Sequence, residues 1–482
     1  DSRESINSDG MPCCGAAKAK DVLRETIELE FVSRGEEPVI VVNRKSLLGI
    51  VAIGMLAMLG VVTPESEPSM VGAKAATGDI AWLLTASGLV LLMTPGLSFF
   101  YGGMVSRKNV VSTMLQSFIA LGVISLMWLL CVFSLAFGDS FHGLIGDPRT
   151  FFMFRGVSPA ATHTVLSPSV PLLLFALFQL KFAIITPALI TGAFAERMRF
   201  SGYLVFMLLF SVFVYAPLAH WTWHPRGVFH AWGVLDFAGG TVVHVSAGCA
   251  ALAGALVLGR RNIHIAQHPH AHVPANVTYV LLGTGMLWFG WFGFNAGSAL
   301  GASDQAILAF ATTNTASGAA MLTWLCFDRL RGRLASSLGA CTGAVVGLVA
   351  ITPAAGYVTV GQSVCIGAVA SVICNLAAYY KSKTLIDDTL DVFPCHGVGG
   401  MIGMLATGLL AKDVGLIHGH SKTFLYHCLA LVIASGYTFI VSYILYRITN
   451  LIVPLRVSPS AEAQGLDLSQ HGESIDEQPS PA

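Results

Sequence analysis

Charge is what this sequence has least of. Of 482 residues only 11% are Asp, Glu, Lys or Arg, against roughly 25% in an average soluble domain. The 27 basic and 27 acidic residues cancel, so nothing in the charge points to a nucleic-acid partner. Recognisable enzyme chemistry is lacking too. The chain carries no nucleophile–base motif, no HExxH pair and no phosphate-binding loop. The ten cysteines have no metal-ligand spacing, so neither metal nor cofactor is expected. Cys131, Cys249, Cys326, Cys341, Cys365, Cys374, Cys395 and Cys428 fall in or beside apolar runs, where cysteine acts as a small hydrophobe. Cys13 and Cys14 sit side by side near the start of the chain.

What is present is apolar: 54% hydrophobic residues, with 50 glycines among them. Small residues let membrane helices pack closely, and about 20 apolar residues are needed to cross the hydrocarbon. Scanning at that length predicts an all-α integral membrane protein. Eleven transmembrane helices fall near 80–101, 108–137, 167–194, 200–221, 236–258, 274–299, 304–327, 334–353, 358–380, 392–411 and 422–447. Alternate loops hold Arg107, Lys108, Arg197, Arg199, Arg260, Arg261, Arg329, Arg331, Arg333, Lys381 and Lys383, with Arg447 and Arg456 after the last span. The opposite loops hold only Arg149, Arg155, Arg226, Lys412 and Lys422. Thirteen basic residues against five put the C-terminus in the cytoplasm and the first span's start outside.

The ends divide from this core by composition. Residues 1–45 are a charged N-terminal extension. Residues 46–76 combine a basic flank at Arg44 and Lys45, an apolar stretch from Leu47 to Val62 and the sequence Ala73-Lys74-Ala75. That pattern is signal-peptide-like; an uncleaved extra helix is the competing reading. Residues 77–457 are the transmembrane core, and 458–482 form a polar cytoplasmic tail.

Ionisable groups inside spans are costly and mark function. Asp236 opens the fifth span and, at ~1.5 Å per residue, His244 lies about 12 Å deeper. The bland role for Asp236 is a helix N-cap, compatible with shaping a cation site. His396 lies in the tenth span, about 7–8 Å beyond Asp391. Spans one to five and six to ten then form two inverted five-helix halves followed by a final helix, each half ending in an Asp–His helix. A binding path is expected at the midplane between such halves. A neutral imidazole donates at one nitrogen and accepts at the other, so a pair could relay protons. Phe178 and Phe182 share one face of the third span, and Phe294 and Ser298 one face of the sixth. Trp223 sits outside the fourth span, where tryptophan more often anchors an interface.

At these residues the chain resembles the ammonium transporter (Amt/Mep) family, over about residues 77–473. The motifs are DFAGGTVVH from Asp236, WFGFNAGS from Trp291, AIITPALITGAFAERMR from Ala183, ITPAAGY from Ile351 and DDTLDVFPCHG from Asp387. The resemblance implies the Amt/Rh fold and transport of ammonium or ammonia across a lipid bilayer, most naturally the plasma membrane. It implies an outer recruitment site at Phe178, Trp223 and Ser298 with Asp236 behind it, a gate at Phe182 and Phe294, and twin histidines at His244 and His396. It also implies a homotrimer. The tail GLDLSQHGE resembles a regulatory C-terminus, with Ser469 where some relatives carry a phosphorylatable threonine, and a PII-type signalling protein would be its partner. Two alternatives are a passive ammonia channel of the related Rh type and an ammonium sensor. Three features depart from the pattern. Lys181 lies between the third-span phenylalanines, Trp223 stands far from Asp236, and His264, His268, His270 and His272 crowd the loop after the fifth span. A solvated loop is favoured for that tract over a metal site.

Overall fold

The computed structural model describes residues 26–27, 42–63, 67–68, 70–262 and 273–475. The histidine tract, Cys13 and Cys14 lie outside them. The chain divides into a small unit, Asp1–Glu65, and a large one, Ser66–Ala482. In the small unit a 19-residue apolar helix spans Arg44–Val62, and Thr26–Ile27 pairs antiparallel with Val42–Asn43.

The large unit holds the eleven predicted spans. They are α1 (Thr77–Met104), α2 (Arg107–Phe137), α3 (Leu172–Ala193), α4 (Phe200–Ala231), α5 (Gly240–Leu258) and α6 (Val277–Gly297). Then follow α7 (Asp304–Leu330), α8 (Ser337–Ile351), α9 (Val360–Ser382), α10 (Phe393–Leu410) and α11 (Ser421–Ile452). Among the described residues nine are long and apolar enough to cross a membrane; α7 and the shorter α8 complete the set. Polar residues fix several starts. Asn276, Ser303 and Ser336 accept backbone N–H groups at the heads of α6, α7 and α8, and Thr359 with Gln362 forms a capping box on α9. Each satisfies donors that have no partner within the helix.

The first helices of the two halves, α1 and α6, make the most extensive helix pair, and the last, α5 and α10, cross at the centre. That crossing needs glycine: a Cβ on Gly248 would lie 2.2 Å from the backbone nitrogen of Gly397. The sequence pattern missed two short outer hairpins, Ser140–Phe141 with Ile145–Gly146 and Thr162–His163 with Ser167–Pro171. Three of the strands have only two residues, too few to show an alternation, and the fourth, Ser167–Pro171, carries two prolines that argue against a strand.

On the side of the basic loops a buried charge cluster joins three connections. The Arg261 guanidinium reaches Glu196 at 2.6 Å and both oxygens of Asp387 at 3.0 Å. Arg197 donates to the Asp387 carbonyl and to Thr389. Burial alone would raise the Asp387 pKa, but Arg197 and Arg261 overcome it and hold the carboxyl well below its ordinary range. The tail closes over the same side. Asp467 accepts from the backbone N–H groups of Val111 and Ser112 at the head of α2. Glu462 pairs with Arg456 at 2.8 Å, and Gln470 accepts from the Phe200 N–H.

Candidate functional site

A cavity of about 130 Å³ opens at the outer end of α3, α4 and α6, lined by Gln179, Phe182, Trp223, Phe237, Ser298 and neighbours. Two of the expected recruitment residues, Trp223 and Ser298, are in its wall. The chain folds back so that the Trp223 indole N–H donates to the Asp236 carbonyl at 3.1 Å, which closes the long sequence gap between them. The Ser298 hydroxyl donates to the Phe294 carbonyl at 2.8 Å. Its proton is thus committed, and its lone pairs remain to accept an N–H from a guest. Phe178 stands one layer back and packs edge-on against Phe182, ring centroids 5.0 Å apart.

Asp236 is further back still and fully used as a cap. Its carboxylate accepts from the backbone N–H groups of Gly239, Gly240 and Thr241 and from the Thr241 hydroxyl. Gly239 adopts φ +110°, a conformation that costs any residue with a Cβ. The charge of Asp236 therefore lies behind the cavity floor and is not one of its lining groups.

Below the cavity Phe182 and Phe294 stack with centroids 4.2 Å apart and planes 32° from parallel. They block the direct line inward. Beneath them His244 lies against Phe294 at 6.0 Å and stacks on the Trp291 ring at 5.3 Å. Trp291 is anchored by an N–H bond to Thr352. The His244 and His396 rings meet through their Nδ1 atoms at 3.3 Å. One must donate and the other accept, so the two tautomers are coupled. Nε2 of His244 is buried without a protein partner. On the inner side His396 lines a small cavity of about 20 Å³ with Tyr101, Thr342, Leu390, Asp391 and Cys395. Outer cavity, ring pair, histidine pair and inner cavity follow one another across the membrane-spanning unit.

The structure corrects the pairing of aspartates with histidines. In the second half the counterpart of Asp236 is Asp388, not Asp391. Asp388 accepts from the N–H groups of Val392 and Phe393, four and five residues on; Asp236 accepts from Gly240 and Thr241 at the same offsets. Each aspartate precedes its histidine by eight residues. Asp391 instead pairs with Lys381 at 2.7 Å. Both helices begin with a π-helical turn, Gly240–Val245 and Phe393–Val398, and such turns cluster at functional sites.

Comparison with known proteins identifies the family. The profile of the Ammonium Transporter Family matches residues 81–475. The chain belongs to the ammonium transporter family. It is 44% identical over 408 residues to an ammonium transporter of Aquifex aeolicus, covering 83% of this chain and 94% of that one. The crystal structure of Saccharomyces cerevisiae Mep2 superposes with a TM-score of 0.74 at 37% identity, covering 80% of this chain and 88% of Mep2. A sensor Amt protein superposes with a TM-score of 0.75 at 28% identity, covering 82% and 98%. The protein is thus an integral membrane transporter of ammonium rather than an enzyme.

Within this transporter two residues went unnoticed in the sequence. Trp291 opens a recognised motif, yet its stacking on His244 is a tertiary contact that no spacing announces. Asp388 was within reach, since the eight-residue interval to the histidine is the same in both halves.

Proposed function

We propose that this transporter recruits ammonium in the outer cavity, removes a proton there, and passes ammonia alongside the hydrogen-bonded histidines, with the proton following along them. What carries the reading is the order of the groups. An aromatic and hydroxyl-lined cavity lies outside a closed ring pair, and a coupled imidazole pair lies inside it. The Trp223 and Phe182 rings attract a cation by ~0.5–2 kcal/mol, and Ser298 accepts one of its N–H bonds. Past the rings the surroundings are apolar, and an intact ion there would be heavily desolvated. Ammonium escapes that cost by giving up a proton; potassium, of similar size and charge, cannot. The working assembly is a homotrimer in the plasma membrane with one pore per subunit. Its C-terminal tail is cytoplasmic, and a PII-type signalling protein is the partner suited to it.

Current across liposomes reconstituted with the protein, on pulses of ammonium and then potassium, tests the reading. An ammonium-specific current is expected. A rapid internal pH rise with no current would replace it with neutral ammonia passage.

A further inference from the structure

Lys181 is the one lysine that sequence analysis placed deep in a span, and the structure gives its direction. Phe178 and Phe182 are turned inward and buried, and Phe182 lines the outer cavity. Lys181 instead continues the outward stripe of Leu173 and Leu177, at successive four-residue steps, and is half-buried. It does not line the outer cavity. Among the described residues no oxygen accepts from its ammonium group. At ~1.5 Å per residue it lies about 13 Å below the start of α3, too deep for an unpaired charge to face lipid without a partner.

A second polar side chain is stranded in the same way on another flank. Asn314 of α7 is exposed and its side-chain amide has no partner among the described residues. It lies about 15 Å below the start of α7. Since α3 and α7 both enter from the outer side, the two groups stand at one depth. Toward the outer face from Asn314 runs a nearly wholly apolar groove of about 430 Å³, lined by Trp82, Ala306, Ile307 and Phe310. Ile307 and Phe310 are 70% and 43% exposed. Helices α3 and α7 do not pack on each other; α3 lies against α1 and α2, and α7 against α8 and α9. One subunit therefore carries a donor with an apolar stripe on one flank, and an acceptor with an apolar groove on another. Two complementary patches on different flanks are what a head-to-tail ring requires.

We propose that the ammonium group of Lys181 donates to the side-chain oxygen of Asn314 in a neighbouring copy, with Leu173 and Leu177 seated in that copy's groove. The proposal rests on the reading of the transporter as a ring of identical subunits and adds the bond that closes it.

Removing the acceptor should strand a buried charge, and removing both groups should relieve it. The temperature at which the detergent-solubilised oligomer dissociates, followed by native mass spectrometry, should fall in Asn314→Leu. It should return toward wild type in Lys181→Met/Asn314→Leu. Coexpressed chains bearing Lys181→Cys and Asn314→Cys separately should be joined by a short bifunctional thiol reagent in native membranes, well above the wild-type background. An oligomer whose dissociation ignores Asn314→Leu, together with no cross-link above that background, overturns the pair and leaves a lipid phosphate as the lysine's partner. A monomeric mass for the wild type would instead defeat the ring itself.

Discussion

At the scale of single residues, the two aspartates deserve equal standing. Asp236 and Asp388 each hold the first free N–H groups of a helix, one carrying His244 and the other His396. Removing a buried, charged acceptor from several donors costs about 2–4 kcal/mol. Asp236→Ala and Asp388→Ala should therefore both lower the melting temperature in detergent, and by comparable amounts. A loss confined to Asp236→Ala would mean that the second carboxylate is dispensable to its helix. His244 lies between Trp291 and His396, with one ring nitrogen unused by the protein. A carboxylate there would stabilise a passing cation where the neutral imidazole does not. His244→Asp should thus admit potassium, read as a potassium current in liposomes where wild type gives none. His244, His396 and Phe294 lie inside long motifs and Phe182 immediately precedes one, so all four could be singled out from the sequence. The choice between Asp388 and Asp391 could not be made from proximity along the chain, since the nearer carboxylate is held by Lys381.

At the scale of elements, the tail is a small helix and a turn fastened by specific bonds. Pro459–Gln464 starts with a Ser458 cap, and Asp467–His471 follows. The Ser469 hydroxyl donates to the carbonyls of Ala461 and Gly465. An acidic group at that position would face two acceptors. Phosphorylation adds ~1.5–2 negative charges, and losing the two bonds alone costs about 1–3 kcal/mol. Ser469→Asp should loosen the docked tail, seen as faster proteolysis after Val457, and should reduce ammonium uptake. Full uptake with a protected tail would remove Ser469 from regulation. The existence of a tail was legible as a composition change, whereas its docking was not. The Asp467 contacts join residues more than 350 positions apart, beyond any local pattern. The spans themselves were the most legible elements, because hydrophobic length is a local property. The outer hairpins were hidden for the opposite reason: three of their four strands have two residues and are defined only by their partners.

At the scale of the whole molecule, the charge cluster around Arg261 ties the two halves on one side of the membrane. Glu196 and Arg197 follow α3, Arg261 follows α5, and Asp387 precedes α10. Because Asp387 titrates below its ordinary value in the folded state, its contribution is complete above the unfolded pKa near ~4. It is lost only as the pH falls through the depressed folded value. Stability should accordingly be insensitive to this group between neutrality and about pH 5, and then decline in stronger acid. Asp387→Asn should melt lower than wild type at neutral pH and show a shallower decline below about pH 4. Parallel acid profiles would mean that another carboxylate dominates. Glu196, Arg197 and Asp387 stand in motifs that sequence reading singled out and Arg261 was counted only as a loop charge, but which ones meet is decided by the fold.

The contact between the His244 and His396 imidazoles is made by the same atom on each ring, at 3.3 Å. A bond between like atoms has a polarity and no built-in preference for either sense. A charge relayed along it leaves the pair pointing the other way, so the path that has just been used is closed to a second passage in that direction. Both rings must exchange their hydrogens before the route reopens. In the proposed relay each proton would cross this link in a single step followed by a reset, and the pace of that reset would cap turnover whatever the width of the outer mouth.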